Sequence, residues 1–127
     1  MMTHRFLRIG GWAVDFLFVE TYDEESILTY LYEFDASYQV MLRAKRIMES
    51  GRKNRGFTYA NPDIKRALVV VGPTTSGKQF VNTLSHEVHH LAVAIAKSLG
   101  KDLDGEDTAY LAGDSMMALF QTICELG

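Results

Sequence analysis

Residues Gly72 to His90 read GPTTSGKQFVNTLSHEVHH. The first half has the form of a phosphate-binding loop, the second that of a metal-binding helix, and both fall on what one helix would span. Gly72-x4-Gly77-Lys78 follows the apolar run Arg66–Val71 and precedes a helical pattern, the context such a loop requires. The next position should carry a hydroxyl for magnesium and carries Gln79 instead. No second strand ends in an aspartate suited to that metal. The segment reads as a turn between strand and helix, with Ser76 near the N-cap. Nucleotide binding through Gly72–Lys78 stays as a third functional reading.

The second half carries more chemistry. His86, Glu87, Val88, His89 and His90 form a His-Glu-x-x-His pattern. Residues i and i+4 of a helix share a face, so both imidazoles can reach one ion. Zinc takes neutral imidazole nitrogens and, in catalytic sites, keeps a position open for water. Glu87 lies one residue round the helix, placed to take a proton as a general base without ligating. At about 100° per residue, His86 and His90 lie nearly opposite the apolar stripe of Val81, Leu84, Val88, Leu91, Ile95 and Leu99. Val93 and Ala94 flank the pair and are small enough for another element to approach. His89 reads as an exposed neighbour.

A third ligand must come from elsewhere. Glu106 and Asp107 open the last helix, where the helix dipole alone favours acids. If the last two helices form a tight antiparallel hairpin, Asp114 falls level with His90 and Glu106 nearer Lys97. Spacing leaves Glu106 and Asp114 open.

The remaining sequence bounds the fold. The chain has 127 residues, 47% of them hydrophobic and 23% charged, which fits one soluble domain with its own core. A net charge of −3 supplies no basic excess for nucleic acid. The basic cluster Arg43–Arg55 reads as the solvated end of a helix. Cys124 is the only cysteine, so a reducing, cytoplasmic setting is the simplest expectation. Arg5, Arg8 and Asp15 interrupt the apolar N-terminal stretch, which does not resemble a signal peptide, and no apolar run suits a bilayer span.

Phe6–Tyr22, split by Gly10-Gly11, predicts a β-hairpin. A helical pattern in two pieces follows YDEES and stops at Gly51. Strand, turn and strand then cover FTYANPDIKRALVVVGP, with Asn61-Pro62-Asp63 as the turn. A long helix from about Ser76 to Leu99 is closed by Gly100, and Asp104 is the candidate N-cap of a final helix to about Leu126. That helix would bury Ala109, Ala112, Met116, Leu119, Phe120 and Ile123. The order predicts an α+β domain over residues 1–127, antiparallel strands with a central metal-binding helix packed by further helices.

SHEVHH followed by GEDTAYLAG resembles small, phage-type zincin-like proteins, in which a His-Glu-x-x-His helix precedes one opening with Glu-x-x-x-Tyr. The resemblance covers Thr83 to Met117. It implies a zincin-like fold and zinc (Zn2+) held by His86, His90 and Glu106, with Asp114 the rival from spacing. It further implies Glu87 as catalytic base, Tyr110 beside the metal and a peptide or protein substrate. The chain departs from larger metallopeptidases in lacking a downstream Gly-x-x-His or Asn-Glu-x-x-Ser-Asp pattern. Three readings follow: a zinc-dependent metallopeptidase-like hydrolase, a non-catalytic interaction module of zincin-like shape, and the nucleotide binder. Strand Arg66–Val71 is the candidate edge for an extended peptide. The oligomeric state is not readable.

Overall fold

The computed structural model describes residues 2–127. Strands β1 (Met2–Ile9) and β2 (Trp12–Val19) form the predicted hairpin, joined by Gly10 and Gly11 at φ +55° and +83°. Two positive φ values in a two-residue turn match the right-handed twist of the flanking strands. Helices α1 (Glu24–Glu33) and α2 (Tyr38–Glu49) follow, capped by the side chains of Asp23 and Ser37. Strands β3 (Gly56–Asn61) and β4 (Arg66–Val71) come next, then α3 (Gly77–Ser98), α4 (Glu106–Ala118) and α5 (Phe120–Leu126).

The fold is α+β: a four-stranded mixed sheet in the order β1-β2-β4-β3, with five helices. The strands are not all antiparallel, as the sequence reading had them. β2 and β4 pair in parallel, while β1 and β3 run antiparallel to their neighbours. Helices cover both faces of this central pair. Leu17, Val19, Leu68 and Val70 pack with Ile27, Leu31, Phe34, Ala44 and Met48 on the α1/α2 face. Phe16, Phe18, Val69 and Val71 pack with Phe80, Leu84, Val88, Leu91 and Ile95 on the α3 face. Burial on both faces explains why RALVVV reads as a continuous apolar run rather than an alternating one. It also corrects the choice of edge. Arg66–Val71 is internal, and β3 is the free edge beside α3.

Long helix α3 starts as predicted: Ser76 Oγ accepts from the Gln79 amide at 3.1 Å. Gly100, at φ +69°, follows its C-cap Leu99. Its buried stripe is narrower at the ends than expected, since Val81 and Leu99 are exposed and Phe80 takes the core position.

The last helix departs further from expectation. It breaks at Leu119 into α4 and α5, and its N-cap is Gly105, not Asp104. Asp102 takes the neighbouring role, accepting from the Asp104 amide at 3.1 Å. Ala109 and Phe120 are exposed, whereas Thr108, Ser115 and Thr122 are buried. Hydroxyls can occupy a core stripe when they are satisfied, and here Thr108 donates to the Asp102 carbonyl and Ser115 to the Leu111 carbonyl.

Candidate functional site

Helix α3 lies on the α3-face core through Leu84, Val88, Leu91 and Ile95, which leaves it two flanks. One flank faces β3; the other faces α4. Gly10, at the β1–β2 turn, fixes the second. A Cβ there would meet Ile95 Cγ2 at 2.9 Å, Leu111 Cδ2 at 3.4 Å and Leu99 Cδ1 at 4.0 Å. α4 therefore runs above the hairpin, on the side of α3 away from β3.

Glu87 belongs to the β3 flank. It is 5% exposed, and its Oε1 accepts a hydrogen bond from Thr58 Oγ1 of β3 at 2.9 Å. The same hydroxyl lies 3.2 Å from the Glu87 carbonyl oxygen. Gly56 makes room for this side chain, because a Cβ at that position would stand 3.1 Å from Glu87 Cγ and collide with the Val70 carbonyl. Two features of β3 thus set the carboxylate: an absent side chain at Gly56 and a hydroxyl at Thr58.

His86 and His90 border the same groove and are exposed. Their Nε2 atoms stand 3.1 Å apart, with the rings edge-on at 86°. Two zinc–nitrogen bonds of about 2.0–2.1 Å at a tetrahedral angle would set such nitrogens about 3.3 Å apart. The pair is thus spaced for one shared ion, or for one shared proton in an N–H···N hydrogen bond. The groove, about 320 Å³, runs between β3 and α3 along Gly56, Thr58, Ala60, His86, Glu87 and His90. His89 is exposed, its ring centroid 6.3 Å from that of His90.

Tyr22 and Arg55 extend this surrounding. The Tyr22 hydroxyl is buried against Gly72 without a hydrogen-bond partner. Burial pushes its phenol above the ordinary value of 10.0; the Arg55 guanidinium pulls it down, and the Glu87 carboxylate adds to the rise.

The structure does not bring the other predicted site residues to this pair. Among the described residues, no three His, Cys, Asp or Glu side chains converge as a metal-holding group. Glu106, Asp107, Asp114 and Tyr110 are on α4, exposed, and none of them lines the groove. The two imidazoles therefore fit a metal ion, while a complete three-residue zincin set is not assembled. Gly56, Thr58 and Tyr22 went unnoticed in the sequence. The one available signal was Gly56, since a glycine at a strand often marks a close approach by another group.

Part of the Gly72–Lys78 loop is engaged by contacts within the protein. The Gly72 amide donates to the Arg55 carbonyl at 2.9 Å and the Thr75 amide to Asn54 Oδ1 at 2.9 Å. Ser76 Oγ is committed to the helix cap and Lys78 is exposed. The Gly72 and Thr75 amides are thereby taken up by contacts within the protein.

No family model, curated protein or solved structure matches this chain. No helix among the described residues is long and apolar enough to cross a membrane.

Proposed function

We propose that this chain is a small zincin-like, zinc-dependent hydrolase acting on a peptide or protein at the groove between β3 and α3. The observation that carries the reading is the His86–His90 pair, whose Nε2 atoms converge at 3.1 Å on an open groove beside a buried carboxylate. When bound, zinc supplies Lewis acidity there.

The chain's own residues have separable roles. His86 and His90 would hold the ion through their Nε2 atoms. Glu87 accepts a proton at its carboxylate and returns it to the leaving amine, and Thr58 fixes the rotamer from which it does so. β3 is the edge strand beside α3, so its outward amides and carbonyls can take an extended peptide as an added strand. Tyr110 has no part in this version, because it stands exposed on α4 and outside the groove.

The second reading, a non-catalytic interaction module, is favoured by two observations. Among the described residues no third protein donor joins the pair, and Glu87 is already engaged by Thr58. Glu87→Gln separates the two. With zinc supplied, the enzyme reading predicts peptide-library cleavage that falls at least about a hundredfold in Glu87→Gln while bound zinc is unchanged. No cleavage by the zinc-loaded wild type would leave the module, and cleavage surviving the substitution would remove Glu87 as the base.

A further inference from the structure

A second cavity lies apart from the histidine groove. It opens where the parallel strands β2 and β4 end, in about 480 Å³ of space beneath the first turn of α3 and the last turn of α5. Open α/β sheets present ligand crevices outside the carboxyl ends of parallel strands, because the chain diverges there into separate loops. The volume is within the range of small-molecule sites.

The chemistry of its walls is selective. Phe18, Val71, Phe80 and Leu126 supply an apolar surface, with the Phe18 and Phe80 rings 5.7 Å apart. Glu20 and Lys53 stand on the lining as well. Both are exposed, and among the described residues neither takes part in an ion pair. An anion and a cation that share a cavity without neutralising each other suit a ligand carrying both charges beside an apolar body. A ligand with one charge would leave the opposite rim charge opposed or idle.

We infer that this cavity binds a free apolar α-amino acid, its ammonium group at Glu20, its carboxylate at Lys53 and its side chain against Phe18 and Phe80. The site is independent of the histidine groove and of whether that groove is catalytic.

The test uses the full chain in two-dimensional NMR titrations with leucine, phenylalanine and N-acetyl-leucinamide, which has the side chain but neither charge. The free amino acids should shift resonances of Phe18, Val71 and Phe80, and Glu20→Gln or Lys53→Met should each weaken binding at least about tenfold. Both positions are exposed, so the variants keep the fold. No shift at about 10 mM amino acid would overturn the inference, as would shifts located elsewhere. Equal binding of the acetyl amide, or wild-type affinity in both variants, would also overturn it.

Discussion

The two flanks of α3 differ in what they ask of the chain. On the β3 flank, Glu87 is buried against a strand that provides a hydroxyl at Thr58 and a gap at Gly56. On the α4 flank, Ile95, Leu99 and Leu111 gather about Gly10 of the hairpin turn, while the acids of α4 stand in solvent. Both flanks carry residues that resemble parts of a zincin motif, yet polar groups converge on only one. A motif residue thus acquires a role from the side of the helix on which its element packs.

The glycines should break this symmetry most sharply. Gly56→Ala places a Cβ against the Val70 carbonyl and 3.1 Å from Glu87 Cγ, so it should destabilise the fold by about 3 kcal/mol. On the α4 side, Gly113 has nothing within 4 Å of its β position, so Gly113→Ala should stabilise by about 0.5–1 kcal/mol. Urea denaturation of both variants checks the contrast; equal and small changes would mean that the β3–α3 contact is looser than described.

Thr58→Val sharpens the account of Glu87. It removes the one side-chain donor found for a buried carboxylate and should cost about 1–3 kcal/mol. The Thr58→Ser variant keeps the hydroxyl and should recover most of that loss. If Thr58→Val and Thr58→Ser melt alike, the hydrogen bond contributes nothing.

A smaller effect concerns Tyr22. Burial holds its folded pKa above the unfolded value, so the neutral phenol's contribution is intact below pH 10.0 and disappears as pH rises through the raised value. Tyr22→Phe should flatten that alkaline part of the stability–pH curve and leave the neutral part little changed. An identical alkaline slope in both proteins would remove Tyr22 from the account.

How much of this was legible follows from distance along the chain. The hairpin at Gly10-Gly11, the cap at Ser76 and the His86–His90 pair are local, and period or turn chemistry specifies them within a few residues. The apolar run at Arg66–Val71 was readable as a strand, but whether it was an edge depended on β3 pairing outside it. The same holds for Glu106 and Asp114. A tight hairpin was foreseeable, and Leu111 and Ile95 both lie beside Gly10 of the β1–β2 turn, yet the choice of flank is a tertiary decision. The stripe of α4 was misread because Thr108 and Ser115 could be buried by bonding nearby carbonyls, which hydrophobicity does not reveal.

The most direct test of the central claim, that the β3 flank alone forms the site, is zinc affinity measured by competition with a chromophoric chelator. Wild type, His86→Ala/His90→Ala and Glu106→Ala/Asp114→Ala would be titrated side by side. The account predicts about one equivalent bound by wild type and by the α4 double variant with affinities within about threefold, and loss of at least about a hundredfold in the histidine variant. Zinc binding that collapses when Glu106 and Asp114 are removed would contradict it, and would mean that α4 reaches across to the pair.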